Sequence, residues 1–295
     1  MIDYEKMLAK PDASISLNEY ATDYTDGLAD KDAGKALQKQ NLKQLKDLQD
    51  KLYAYNRYSL LLIFQAMDAA GKDSTIEHVM SGVNPQGCQV FSFKKPSDNE
   101  LEHDFLWRTY RALPERGRIG IFNRSYYEEV LVTRVHPEYI IGQRIPGIDT
   151  VDDIDETFWE ERYRSINQME HHFHQNGTIV LKFFLHLSKE EQKNRFMKRI
   201  TRPDKNWKFT INDLEERKHW EAYQQAFEQA INHTSTEQAP WHIIPADHKW
   251  FMRAAVSEII VDKLQSLDLR YPQVTEEQRA NLQKARDLFE SDPDA

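Results

Sequence analysis

Residues 59–79 read SLLLIFQAMDAAGKDSTIEHV, and this stretch decides the fold. Ser59 to Phe64 form a short apolar run, as a strand buried on both faces requires. A loop carrying Gly71 and Lys72 follows, and a helix begins around Asp73, Ser74 and Thr75. Strand, glycine loop, lysine and helix in that order are the arrangement that cradles phosphates. Loop and helix N-terminal amides point at the anion, and the helix dipole favours negative charge there. Ala69, Ala70, Gly71, Asp73 and Ser74 supply that cradle. Lys72 adds a full positive charge, and Gly71 lets the backbone come close. The pattern departs from G-x-x-x-x-G-K-[ST] at two places, with Ala66 for the first glycine and Asp73 for the hydroxyl residue. Asp68 lies inside the loop, and phosphates would repel a bare carboxylate. It therefore reads as a ligand for Mg²⁺. The plainer alternative is a strand–turn–helix with a capping aspartate.

Further strand candidates follow at 89–93 (QVFSF), 118–122 (RIGIF), 178–187 (TIVLKFFLHL) and 241–246 (WHIIPA). Helical stretches alternate with them at 73–82, 98–111, 125–133, 152–175, 188–200, 211–232 and 248–266. Alternation of this kind implies right-handed crossovers and a parallel sheet covered on both faces, an α/β architecture. Before the first strand, Leu37, Leu42, Leu45, Leu48 and Leu52 mark an amphipathic helix over 35–54. After the last, 274–290 reads as an exposed helix. Aromatics at helical spacing, such as Trp159, Phe173 and Phe196, read as core.

The third strand runs straight into polar groups, and ligands of open α/β sheets sit at such carboxyl ends. Asn123 can offer a carbonyl oxygen to a metal or orient a water. Arg124 can stabilise charge on a phosphoryl group in transfer. Glu128 lies one helical turn on, so Arg124 and Glu128 could equally be a surface pair. Residues 193–208 (KNRFMKRITRPDKNWK) hold seven Lys/Arg against one Asp. These are Lys193, Arg195, Lys198, Arg199, Arg202, Lys205 and Lys208. In an acidic protein such a strip either closes over phosphates as a lid or is a solvated basic face. Trp207 within it either stacks or packs. At the end of the second strand, Lys94, Lys95 and Pro96 could face an acceptor. Asp104 and Arg108 are spaced as a salt bridge. Asp247, Lys249 and Arg253 either line the site or cap the last core helix. HHFH (171–174) lacks carboxylates at ligand spacing and reads as a solvated helix end.

The chain has 295 residues and a net charge of −9, from 39 basic and 48 acidic residues. That length buries roughly 75% of the unfolded surface without help from disulfides. The acidic balance argues against a duplex-DNA binder. Cys88 is the single cysteine, which excludes an internal disulfide and a cysteine-based zinc site. The N-terminus has no signal-peptide core, and the apolar run at 60–64 is far short of the roughly 20 residues of a membrane span. The expectation is a cytoplasmic protein that uses neither membrane nor nucleic acid.

MDAAGKDST, IEHVMSGVNPQG, HDFLWR, IFNRSYYEEVLVTRVHPE, NGTIVLKFFLH, KNWKF, DLEERKHW and APWHIIPADHKW together resemble the second polyphosphate kinase family over about residues 15–270. The resemblance implies a thymidylate-kinase-like P-loop kinase fold, a three-layer sandwich with a five-stranded parallel sheet and a helical lid at about 195–215. The kinase domain would span 55–270, after an N-terminal extension (1–54) and before a helical tail (271–295). It implies transfer between inorganic polyphosphate and a nucleotide, dependent on Mg²⁺ with Mn²⁺ as substitute. Asp68, Lys72, Asn123 and Arg124 would carry the catalytic centre, with Glu128 beside them and Asp68 and Asn123 on the metal. Arg134 and the lid residues Arg199, Arg202 and Lys208 would hold phosphates. Lys94, Pro96, Asp104, Arg108 and Glu128 would surround the nucleotide. Asn123 with Glu128 looks like the subgroup accepting both AMP and ADP; most subgroups have Asp at the first position and often Asn at the second. Members are typically dimers or tetramers. Two other readings stand beside this one: an NTP-dependent nucleoside-monophosphate kinase, and a non-catalytic polyanion or RNA binder.

Overall fold

Every residue from Ser59 to Gln65 is buried, so the strand that carries the phosphate loop is the centre of the molecule. The computed structural model describes residues 2–11 and 13–291. In chain order its first elements are β1 (Leu8–Ala9), α1 (Lys31–Tyr55), β2 (Ser59–Gln65), α2 (Lys72–Val79) and β3 (Cys88–Ser92). Then come α3 (Asp98–Leu101), α4 (Trp107–Tyr110), β4 (Ile119–Asn123), α5 (Glu128–Val135), α6 (Glu138–Ile141) and α7 (Glu156–Gln175). The last are β5 (Thr178–His186), α8 (Lys189–Thr201), α9 (Asn212–Lys218), α10 (Trp220–Thr234), β6 (Trp241–Pro245), α11 (Lys249–Gln265) and α12 (Glu276–Ser291).

The sheet order is β1-β6-β5-β2-β4-β3. Five strands are parallel, and β1 runs antiparallel along β6. Side chains alternate across β2. Leu60, Leu62 and Phe64 enter one core with α1, α2 and α11. Leu61 and Ile63 enter the other with α5, α7 and α10. The result is helices on both faces of one sheet, three layers in all. Helix α11 is buried nearly all round because α1 packs over its outer side.

The chain leaves β2 toward β3 and β4, then crosses back to β5 and β6, so the strand order reverses at β2. The crevice at the carboxyl ends of β2 and β4 is where such a sheet binds ligands. Phe64 is in register with Asn123 there.

The sequence reading is corrected at four places. The sheet has a sixth strand: β1 pairs two residues onto β6 and covers what would otherwise be an open edge. The helix expected over 98–111 is two short helices. A Ser97–Glu100 capping box starts the first, and the Asp104 carboxylate accepts the Leu106 N–H to start the second. The helix expected from 125 begins at Glu128, because Arg124 takes a left-handed φ of 63° and Ser125–Tyr127 form a turn. The helix expected over 211–232 is broken at His219. Helix α12 is exposed along its whole length, as its polar sequence suggests. Among the described residues, no helix is long and apolar enough to cross a membrane.

Candidate active site

The loop between β2 and α2 turns on two left-handed residues, Ala69 at φ 63° and Gly71 at φ 105°. Thr75 and Ser74 tie its end by donating to the Gly71 carbonyl, at 2.9 and 3.1 Å from their hydroxyls. Arg195, 5% exposed on α8, grips the loop from behind. Its guanidinium donates to the carbonyls of Ala69 (3.2 Å), Ala70 (2.6 Å) and Ala246 (2.6 Å), and its Nε to Glu191 (2.9 Å). The Gln192 amide holds the Asp68 carbonyl at 3.0 Å. With carbonyls drawn toward α8, the fork geometry of one arginine fixes the loop. Lys72 donates to the Ala66 carbonyl at 2.8 Å. Burial and the nearby Arg124 pull its ammonium below the ordinary lysine pKa, while Asp68, Glu128 and Asp73 pull the other way.

The β4–α5 turn faces this loop. The Arg124 backbone N–H donates to the Phe64 carbonyl at 3.1 Å, which locks the two strand ends together. The Arg124 guanidinium stands 3.3 Å from Asp68 and 3.8 Å from Glu128. Glu128 and Asp68 strengthen its charge against burial. Burial pushes the Glu128 carboxyl up, and Arg124 and Lys72 oppose that. Asn123 donates its side-chain N–H to Asp73 at 2.6 Å, leaving the amide oxygen to accept.

Two cavities open from this point. One, of about 610 Å³, runs past Ala69, Gly71, Lys72, Asp73, Ser74 and Asn123 to Lys198, Arg199, Lys205 and Lys208 of the basic strip and to Lys249. Cations dominate its wall, with Asp68 and Asp73 as its carboxylates. The other, of about 580 Å³, has a partly apolar lining that includes Met67, Pro96, Leu131, Val132, Tyr139 and Phe227. It also holds Glu128, Arg108, Asp213, Glu216 and Tyr223. Asp68, Lys94, Lys95 and Arg124 line both. A polyanion fits the first, an amphipathic ligand the second, and a group passing between them meets Arg124.

The structure thus brings together Asp68, Ala69, Gly71, Lys72, Asp73, Ser74, Lys94, Pro96, Arg108, Asn123, Arg124, Glu128, Arg199 and Lys208. Arg108 acts there partly as a support, donating to the Lys94 carbonyl at 2.8 Å and pairing with buried Glu129 at 3.4 Å. It does not pair with Asp104, whose carboxylate accepts the Leu106 N–H before α4 and lines neither cavity. Ala70 is buried and contributes its carbonyl to Arg195. Arg134 lines neither cavity; it pairs with Glu156 at 2.8 Å and lies over the Trp159 ring. Arg202 also lies outside both, paired with Asp204 at 2.9 Å. Trp207 stacks on no other ring among the described residues; it is 77% exposed, with the Lys208 ammonium 4.9 Å from its ring centre. His171 and His174 are exposed helix-end residues.

Sequence reasoning missed Arg195 and Gln192 as loop supports. Their signal was the buried stripe Gln192, Arg195, Phe196 on α8, at i, i+3, i+4. It also gave no role to Asp213, Glu216 or Tyr223. Tyr223 donates to Glu216 at 2.7 Å, and burial and that carboxylate push its pKa far up. Asp213 lies 3.9 Å from Arg199, so the second cavity touches the basic strip.

Among the described residues, no three His, Cys, Asp or Glu side chains form a closed metal cage. Mg²⁺ needs none, since it takes one or two carboxylates and completes its shell with water and substrate phosphates. Asp68, with the free amide oxygen of Asn123 and with Asp73 behind it, is an oxygen donor set of that kind.

A sequence profile described as polyphosphate kinase 2 matches residues 28–272. The chain is 52% identical over 272 residues to an ADP-polyphosphate phosphotransferase of Rhodopseudomonas palustris, covering 92% of this chain and 93% of that one. It is 42% identical over 273 residues to an AMP/ADP-polyphosphate phosphotransferase of Meiothermus ruber, covering 91% and 96%. The crystal structure of polyphosphate kinase 2 from Arthrobacter aurescens superposes with a TM-score of 0.83 at 38% identity, covering 94% of this chain and 98% of that one.

Proposed function

The chain belongs to the polyphosphate kinase 2 family, and from that premise we infer that it is a polyphosphate-dependent nucleotide kinase. It transfers the terminal phosphoryl group of inorganic polyphosphate to AMP and ADP, giving ADP and ATP, and the reaction is reversible.

The observation that carries the mechanism is the junction of a cationic cavity and a partly apolar one at Arg124 and Asp68. Polyphosphate occupies the first, its chain along Lys72, Arg199 and Lys208 and its terminal group at Arg124. The nucleotide occupies the second, its phosphate toward Lys94, Arg124 and Glu128. An acceptor phosphate is already ionised near neutral pH, so no strong general base is needed. What the site supplies is alignment of two anions and neutralisation of charge in the transition state. Arg124 can reach donor and acceptor oxygens together with its planar fork. A divalent cation, Mg²⁺ with Mn²⁺ as substitute, would be held by Asp68 and Asn123 and would supply further charge neutralisation. The exposed apolar side chains Leu282, Leu288 and Phe289 on α12 favour a homo-oligomer, a dimer or a tetramer, which light scattering would read.

The test is to incubate the protein with Mg²⁺ and polyphosphate, adding AMP or ADP, and to resolve the nucleotides. ATP from both tubes is expected. Product from ADP alone would overturn dual acceptance. Activity only when an NTP replaces polyphosphate would overturn the donor. Salt-sensitive RNA binding without transfer would overturn the enzyme reading.

A further inference from the structure

Under the β4–α5 turn lies a closed, buried polar network that the mechanism above does not use. Lys182 on β5 and Glu170 on α7 are 0% and 1% exposed and pair at 2.6 Å. The Lys182 ammonium also donates to the Tyr127 hydroxyl (2.9 Å) and the Thr234 carbonyl (2.7 Å), so its three protons are all placed. Tyr126 and Tyr127 both donate to the other Glu170 oxygen, at 2.6 and 2.8 Å. The Lys182 charge stands 5.3 Å from the centres of the Tyr127 and Trp241 rings. Five elements meet here: the turn, β5, α7, α10 and β6.

We propose that Lys182 and Glu170 are positioning residues for Arg124, acting through Tyr126 and Tyr127. Three observations carry this. First, Arg124 holds a left-handed φ of 63°, a conformation that a non-glycine residue keeps only when its surroundings over-determine it. Second, the three residues after it, Ser125, Tyr126 and Tyr127, are each 0% exposed. Glu170 anchors the hydroxyls of both tyrosines, and Lys182 adds a second contact to that of Tyr127. Third, a buried ion pair is weak evidence for stability, since apolar side chains of similar volume commonly do as well, but it does specify one geometry. The network lies between the turn and the sheet, so the geometry it specifies is that of residues 124–128. Arg124 enters that segment and Glu128 leaves it.

The inference rests on the assignment of Arg124 as the residue that stabilises the transferring group. Tyr126→Phe and Tyr127→Phe keep shape and apolar burial; the first removes the bond to Glu170, the second the bonds to Glu170 and Lys182. Each should lower kcat by on the order of tenfold while leaving KM for polyphosphate and ADP unchanged, because a small misplacement acts on the transition state. Lys182→Met/Glu170→Leu leaves the Tyr126 and Tyr127 hydroxyls and the Thr234 carbonyl without these partners, so it should melt below wild type and also lose kcat. In an Arg124→Lys background the tyrosine changes should cost little more, since they act through the same residue. Wild-type kcat in both tyrosine variants, or losses that simply multiply with that of Arg124→Lys, would overturn the proposal. Full activity of Arg124→Lys alone would instead overturn the site assignment. Should the double variant fail to fold, the tyrosine variants decide.

Discussion

The guanidinium of Arg124 stands 3.3 Å from the Asp68 carboxylate, at the place where both cavities meet. The two residues come from different strand ends, β2 and β4, and the Phe64–Asn123 register sets them opposite each other. Asp68→Asn keeps the shape and removes the charge. Lys72→Ala removes the cation that spans the loop to Ala66. Each should lower kcat about 10²-fold or more, as removal of a preorganised charge does in comparable sites. Both side chains are partly open to solvent, so melting temperatures should move little. Steady-state kinetics beside thermal melts checks this, and wild-type turnover in either variant removes that residue from the catalytic centre.

Gly71 tests the loop conformation. Its φ of 105° is one that side chains rarely adopt, and an added Cβ would lie 3.4 Å from the Ser74 hydroxyl and 3.7 Å from Arg195. Space is therefore available, and the cost of Gly71→Ala is one of backbone strain, about 1–2 kcal/mol. The expected result is a modest drop in melting temperature with a larger rise in KM for polyphosphate, because the strained residue lies in the cradle. A variant as stable and as active as wild type would show that the loop has a second conformation open to it.

Much of this was legible in the sequence, for identifiable reasons. Apart from β3, a mixed and partly exposed strand at the sheet edge, the parallel strands are largely apolar runs bounded by helices, as a doubly covered sheet requires. The phosphate loop announces itself through Gly71 and Lys72. Other features carry no period or point the wrong way. Strand β1 is two residues long, too short for any alternation to register. Arg134 follows Glu128 by six positions, which on a helix is about 240° round from it, so it turns to Glu156 and Trp159 instead. The network of Lys182 and Glu170 joins residues twelve apart in sequence to a turn more than forty residues earlier, and nothing local marks a lysine inside an apolar strand as paired.

Arg195 shows what composition hides. Counted with the basic strip, it reads as one more cation for phosphates. In the structure it is 5% exposed and spends its donors on Ala69, Ala70, Ala246 and Glu191. Arg195→Met removes the donor from these four acceptors and from the Asp247 carbonyl, and should destabilise the protein by about 3 kcal/mol. Arg195→Lys should rescue little, since an ammonium has no planar fork to hold adjacent carbonyls. Denaturant titration of the two variants checks both statements. By contrast Lys198→Met, at a cavity wall residue exposed on α8, should leave stability intact and raise KM for polyphosphate.

Lys249 gives the donor cavity a pH dependence. Burial, with Arg195 and Lys205 facing it and Arg253 on its own helix, lowers its pKa from 10.5 to about 8, against a partial pull upward from Glu191. The sign follows from which state holds the proton. Below pH 8 the folded protein carries the charge at full penalty. Between about 8 and 10.5 the unfolded chain binds the extra proton, so this group's contribution to stability becomes more favourable as pH rises. Phosphate binding runs the other way, because it needs the ammonium. KM for polyphosphate should therefore climb as pH passes through 8, with a bound polyanion holding the proton on and moving the midpoint upward. Lys249→Arg keeps the charge across that range and should flatten the climb. Lys249→Met should also flatten it, but at the high-KM end. A KM profile in which Lys249→Arg still climbs as wild type does would assign the titration to a different group.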